Sequence, residues 1–479
     1  MSQCYIRIKG DVLVGVPAQP SCMTTWILLE QEDWFEKEIV FVRRLLKPGM
    51  RAVDIGANLG VYALTMAKLV ARGGKVWAFE PTSECAAALR RSAEHNDFTN
   101  LQLVQMALSD QEGAAALHRH GNSELNSLVH TAEAGTLETE TVMVSTLDRQ
   151  QSELDWGAID FIKIDAEGCG LNILTGGARF FAEQSPIVMF EASDSRFETD
   201  RATLPAAFRA LGFDIYRLVG PDTMLAPVTA LDQLTDFDLN LFACKPDRAA
   251  QLAAQGLLAL PSETRSSFPP GGGRALFKRQ PYARSFGSLI ARPGAYSRTL
   301  DAYALWRDER AGPDRRYAAL RGAFAAAREA AEERPSLARI STVARIAFEA
   351  GDRQFAIGQL RRAISLLRSD PAPPDEPFFP AASRYDAIDP AGMAQAWLLA
   401  AIFEAFETTE YWSGCFKPVE KQALPALDQL QASPFASAPM ERRRQLQRWR
   451  AGLSHGQQAV PILAHAAPDN LNPHLWTRG

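Results

Sequence analysis

Between residues 30 and 245 the chain alternates short runs of β-branched and apolar residues with longer stretches whose apolar positions recur at helical spacing. That alternation predicts an α/β domain built on a mostly parallel sheet. Strands are expected at 51–55, 75–79, 101–105, 158–164, 186–190, 213–218 and 239–244, with helices at 32–46, 61–70, 84–95, 178–183 and 202–211. The turn residues Gly220, Pro221 and Asp222 near the end of this region predict an antiparallel edge. At the start, MSQCYIRIKGDVLVGVP alternates apolar and polar residues about Gly10 and Asp11, which predicts a β-hairpin. It lacks the unbroken apolar stretch of a signal peptide.

Past residue 250 the texture changes. Pro261, Pro269, Pro270, Gly271, Gly272, Gly273, Pro281, Pro293 and Gly294 interrupt every period, so 251–294 reads as a linker or a loosely structured bridge. From 295 to 479 an Ala-, Arg- and Leu-rich chain with helical spacing predicts an all-α domain. Within it, residues 339–371 read as two helices meeting at Gly351-Asp352, with Ala356 and Ala363 small enough for close packing. This resembles one tetratricopeptide-type pair, and an ordinary helical bundle fits equally. The expected organisation is an N-terminal extension over 1–29, an α/β domain over 30–250, the bridge over 251–294 and the helical domain over 295–479.

Composition narrows the class. A hydrophobic content of 47%, a charged content of 22% and a formal charge of −5 place the 479 residues among soluble globular proteins, away from disordered chains. Without a basic excess the chain is not expected to bind nucleic acid. The six cysteines are scattered, with no CxxC pair, as in reduced cytoplasmic proteins. No window is long and apolar enough for a membrane span. The basic run ERRRQLQRWR, 441–450, reads as the solvated face of an amphipathic helix, with a partner or membrane-surface helix as the alternative.

The chemistry concentrates at strand ends. VDIGANLG, 53–60, lies between a strand and a helix, where glycines admit a ligand close to the backbone and a helix N-terminus offers free N–H groups. A dinucleotide fold would use GxGxxG; here the spacing is GxxxG with Asp54 ahead of it, an acid that repels a pyrophosphate and suits a cationic ligand. The next strand ends in Glu80, placed to accept ribose hydroxyls, and the third is followed by a loop, Ala107 to Asp110, where an adenine ring fits. In IDFIKIDAEGCG, Lys163, Asp165 and Glu167 alternate and share one face if the chain stays extended. Glu191 ends the fifth strand. A buried ion pair between Lys163 and one of these acids is the plainer reading. Three acids could share a hard cation, but the spacing matches no dedicated metal loop, so no metal is expected.

Together VDIGANLGVYAL, VWAFEPTSE, ALSD, STLD and FIKIDAEGCGLNILTGG resemble the FkbM family of S-adenosylmethionine-dependent methyltransferases over residues 30–245. The resemblance implies a class I methyltransferase fold, a Rossmann-like seven-stranded sheet with a reversed last strand. It implies S-adenosyl-L-methionine as cofactor, held by Asp54, Gly56, Asn58 and Gly60 on the methionine side, by Glu80 at the ribose and by Ser109 and Asp110 near the adenine. Asp165 and Glu167 fall on the acids of the family's K-I-D-x-E-G motif. The family commonly carries a second Glu two residues after that glycine, and here Gly170 occupies the position.

The resulting expectation is O-methylation of a hydroxyl on a sugar, glycan or polyketide-type acceptor. Asp165 or Glu167 acts as base with Lys163 tuning its charge, and Glu191 and His130 lie near the substrate, His130 from a mobile stretch at 121–130. A nicotinamide oxidoreductase or a catalytically degenerate scaffold are the alternatives. The helical domain is expected to serve a protein partner, self-association or the acceptor's carrier.

Overall fold

The computed structural model describes residues 3–120, 136–192, 202–221, 224–235, 237–260, 268–369, 373–418, 424–453 and 460–477. The chain divides into two compact units. One comprises Met1–Leu218, Pro227–Leu257 and Ala466–Leu475; the other comprises Val219–Ala226, Leu258–His465 and Trp476–Gly479.

The first unit opens with the expected hairpin, β1 (Gln3–Ile8) against β2 (Val12–Pro17), followed by helices α1 (Met23–Gln31) and α2 (Glu38–Leu45). The single helix expected over 32–46 therefore starts late. Glu32 adopts a left-handed φ of 52° and ends α1, so the next five residues bend before α2 begins. The backbone of this corner is held by the returning C-terminal segment. The Asn472 side chain pairs with the Arg7 N–H and carbonyl at 2.9 and 2.8 Å, and its amide donates to Glu32 at 2.8 Å.

Then come β3 (Arg51–Ile55), α3 (Val61–Val70), β4 (Lys75–Phe79), α4 (Ser83–His95) and β5 (Leu101–Val104). A small separate sheet of β6 (Ala107–Leu108), β7 (Gly113–His120) and β8 (Thr136–Ser145) follows, and then α5 (Leu147–Glu153), β9 (Phe161–Ile164), α6 (Gly170–Gly176), α7 (Ala178–Glu183) and β10 (Ile187–Glu191). The last strands are β11 (Asp214–Val219), reached through α8 (Thr203–Ala210), β12 (Met224–Pro227) and β13 (Asn240–Cys244), before α9 (Pro246–Ala254).

The main sheet runs β12-β11-β13-β10-β9-β3-β4-β5. β3, β4, β5, β9 and β10 are mutually parallel, whereas β13 runs antiparallel to both β10 and β11. This is the class I methyltransferase order, seven strands with the last reversed, plus β12 as an eighth at the edge. Central strands read as continuous apolar runs because they are buried on both faces: Ala52, Val53 and Ile55 of β3 and Phe161, Ile162 and Ile164 of β9 are all at most 2% exposed. The chain order reverses between β3 and β9, and at their carboxyl ends such a switch leaves a crevice.

The second unit is helical: α10 (Gly272–Arg279), α11 (Ala295–Trp306), α12 (Pro313–Glu333), α13 (Leu337–Ala350), α14 (Arg353–Ser369), α15 (Ala394–Glu410), α16 (Pro425–Gln431) and α17 (Ala438–Arg450). Part of the Pro/Gly-rich stretch is thus an ordered helix. Gly273 lies so close to Leu300 of α11 that any side chain there would collide with it. The pair α13 and α14 meets at Gly351, whose φ of 88° closes α13.

The basic run corrects the expectation of a solvated face. Arg442, Arg443 and Arg444 are buried, and Trp449 is the residue left 41% exposed. Arg443 donates to the Glu407 carbonyl at 2.5 Å and Arg450 to the Cys415 carbonyl at 2.9 Å, so the guanidinium groups satisfy backbone oxygens in the last turn of α15 and beyond it. Arg444 is paired with Glu441 at 3.0 Å and Asp428 at 3.1 Å.

Candidate active site

The turn after β3 is fastened to the end of β4. The Gly56 and Ala57 amides donate to the Phe79 carbonyl at 3.0 and 2.9 Å, and the Asn58 amide donates to Glu80 Oε2 at 2.8 Å. Gly56 has a φ of 78°, and a Cβ there would overlap the Asp165 carbonyl oxygen. Gly60, with φ 89°, begins α3 in a conformation that a side chain would strain. Asn58 takes a left-handed φ of 48°, which its short polar side chain tolerates, and its Oδ1 accepts from the Cys85 thiol at 3.3 Å.

Asp54, beneath this turn, is fully buried, and among the described residues neither carboxylate oxygen has a close hydrogen-bond donor. Burial pushes its pKa up to about 6, against the pull of Lys163. The Lys163 Nζ stands 3.7 Å from Asp54 Oδ1, a coulombic contact too long for a hydrogen bond. Glu80 is also buried, and desolvation raises its pKa while its hydrogen bonds oppose the rise. Its Oε1 accepts from the Thr82 amide at 2.9 Å and hydroxyl at 2.5 Å. The stretch read as an adenine loop is half strand, since Ala107 and Leu108 pair with β8. Ser109 and Asp110 follow it; the Ser109 hydroxyl and the Asn172 amide both donate to Asp110 Oδ1 at 3.1 Å.

Lys163, at the centre of β9, is 4% exposed and reaches Asp165 Oδ2 at 2.7 Å. Burial works against its charge, but Asp165 and Asp54 outweigh that and raise its pKa. The buried ion pair is therefore real, and it sits inside the acidic cluster. Asp165 and Glu167 do not share an extended face: Glu167 and Gly168 both turn left-handed, with φ of 34° and 82°. The turn nevertheless brings one oxygen each of Asp165, Glu167 and Glu191 within 4.8 Å of one another, a spacing that can share one cation and that sequence separation did not foretell. At Gly170, a Cβ would meet Leu204 Cδ2 at 2.7 Å, so the family's acid has no room unless Leu204 moves. His130 and the rest of 121–130 lie outside the described residues.

Two residues at the site escaped the sequence reading. Tyr62, the second residue of α3, is 4% exposed; its ring faces the Lys163 ammonium at 5.1 Å and its hydroxyl donates to Glu36 Oε2 at 2.8 Å. Glu36 lies in the bend between α1 and α2. Its pKa rises to about 7, first through desolvation and then through repulsion by Glu38 and Asp165. A hydroxyl on an otherwise apolar first turn, VYAL, was the one available signal for Tyr62; nothing local marks Glu36.

The sheet order is that of the class I methyltransferase fold. Residues 54–215 match the family model described as "Methyltransferase FkbM domain". No curated protein matches the chain. Among solved structures it is similar to methyltransferase FkbM from Methylobacillus flagellatus KT, with 17% identity and a TM-score of 0.26 over 41% of this chain and 43% of that one, less than half its length. It is similar to an S-adenosylmethionine-dependent O-methyltransferase from Thermotoga maritima, with 14% identity and a TM-score of 0.28 over 50% of this chain and 77% of that one. A methyltransferase of Streptococcus mutans described in complex with S-adenosylhomocysteine matches with 11% identity and a TM-score of 0.25, over 43% of this chain and 95% of that one.

Proposed function

We propose that this protein methylates a hydroxyl oxygen of a sugar, glycan or polyketide-type acceptor. The observation that carries the reading is Asp54, a buried carboxylate at the foot of the glycine turn that makes no close hydrogen bond among the described residues and has Lys163 at 3.7 Å. An ionised group desolvated in this way costs several kcal/mol, which Lys163 at 3.7 Å offsets only in part, and pairing with the donor's ammonium group would offset the rest. Gly56 and Gly60 leave the turn free of side chains, and Glu80 Oε2, which takes the Asn58 amide, keeps acceptor capacity for a ribose hydroxyl.

Bound S-adenosylmethionine supplies an electrophilic methyl group on a sulfonium. The chain's own task is to align the acceptor oxygen and receive its proton. Asp165 or Glu167 takes that proton, a contribution of about 10² to 10⁴ in rate. Lys163 fixes one oxygen of Asp165 at 2.7 Å and so sets the direction of its carboxylate. Glu191 borders the same space from β10.

Calorimetric titration with S-adenosylmethionine, S-adenosylhomocysteine and NAD tests the donor class, with binding expected for the first two only. Methyl transfer to a panel of sugars and hydroxylated polyketides tests the acceptor. Binding of NAD, or transfer confined to nitrogen acceptors, would overturn the reading.

A further inference from the structure

We propose that Glu36 and Tyr62 are positioning residues that hold the Lys163 ammonium away from Asp54, keeping that carboxylate open for the ammonium group of the donor. This rests on the donor assignment above and concerns residues outside the glycine turn.

The geometry poses a problem. Lys163 is buried between two carboxylates, yet it hydrogen-bonds only one of them: 2.7 Å to Asp165 Oδ2 against 3.7 Å to Asp54 Oδ1. Asp165 is 36% exposed at its side chain and keeps water as an alternative partner, whereas Asp54 is 1% exposed and has none. Electrostatics alone would draw the ammonium to the drier carboxylate, where attraction is strongest. What opposes this is the Asp165 hydrogen bond together with the Tyr62 ring, whose face attracts the ammonium at 5.1 Å. The ring is tethered at its far end, because the Tyr62 hydroxyl donates to Glu36 at 2.8 Å. Glu36 comes from the bend between α1 and α2, Tyr62 from the first turn of α3 and Lys163 from β9, so three elements converge on one ammonium.

If the tether is cut, Lys163 slides onto Asp54 and competes with the donor's own ammonium. The affected ligands are those carrying an α-amino group. S-adenosylhomocysteine has one; 5′-methylthioadenosine, with the same adenosine thioether, does not.

Calorimetry on the full chain with these two ligands tests the proposal. Glu36→Ala and Tyr62→Phe are expected to weaken S-adenosylhomocysteine about tenfold, the size of a desolvated cation–π contact, while 5′-methylthioadenosine changes less than about twofold. Glu36→Gln keeps an acceptor for the tyrosine hydroxyl and restores S-adenosylhomocysteine affinity to within about threefold. In a Lys163→Met background, Glu36→Ala has no further effect, because the competitor is gone. Unchanged affinities, or parallel loss of both ligands in variants including the isosteric Gln, would overturn it. A wild-type chain that binds neither ligand would instead overturn the donor assignment.

Discussion

The Asn58 amide donates to Glu80 Oε2 at 2.8 Å, joining the glycine turn after β3 to the acid that ends β4. Glu80 thus shapes the turn, and under the proposed function it also takes the ribose. Glu80→Ala leaves two amides and the Thr82 hydroxyl without their acceptor, and it is expected to weaken S-adenosylhomocysteine by at least about tenfold. Glu80→Gln retains one acceptor oxygen and should lose less. Equal affinity for the Ala variant and the wild type in calorimetry would place the donor elsewhere.

Asp54 sets stability against function. Its pKa rises from 3.8 unfolded to about 6 folded, so the folded chain holds the proton more tightly. The group costs no stability below about pH 4; the cost grows as pH climbs through about 6 and is complete above it. Asp54→Asn is therefore expected to remove a cost of up to about 3 kcal/mol at pH 7.5, offset in part by the attraction that buried Lys163 loses, to flatten the slope between pH 4 and 6, and to abolish donor binding. Denaturant melts across that range check the first two, and calorimetry checks the third.

Gly56→Ala should be damaging twice over. The residue needs a φ of 78°, and its new methyl would strike the Asp165 carbonyl. A loss of about 2 kcal/mol or more in urea melts is expected, with donor affinity lost as well. Wild-type behaviour would mean that the turn relaxes freely.

Asp165, Glu167 and Glu191 can serve either as proton acceptors or as ligands to an ion. Under the acid–base assignment, turnover on a responsive acceptor stays within about twofold in excess EDTA, and Asp165→Asn or Glu167→Gln slows it by about 10² or more. Loss of turnover in EDTA, restored by Mg²⁺ or Mn²⁺, would reassign the cluster to a metal.

In the helical unit, Arg443 is buried against the Glu407 carbonyl and lies 3.7 Å from the Glu407 carboxylate. Arg443→Leu strands those oxygens and is expected to cost about 3 kcal/mol in chemical denaturation of that unit. S-adenosylhomocysteine affinity should not change, since the residues proposed to hold the donor belong to the other unit.

The sheet was legible because its cause is local. Ala52, Val53 and Ile55 are apolar on both sides of the strand because β3 is buried on both faces, with Asp54 the one acid among them, and the glycines after it announce a turn. Less visible was β6, a two-residue strand whose pairing with β8 depends on a segment nearly forty residues away. α17 misled for a related reason: arginines look solvated until the carbonyls they will cap are known.

Of the site itself, the chain's own order of residues determined Asp54, Glu80, Lys163 and the acids after β9, because each sits beside a glycine or at the end of an apolar run. Tertiary structure alone decided that Asp54 is desolvated with Lys163 standing at 3.7 Å, that Glu191 meets Asp165 and Glu167, and that Glu36 reaches Tyr62 from a bend after α1. Desolvation and contact across elements depend on distances in space, and a linear pattern of side chains does not encode those until the strands and helices have packed.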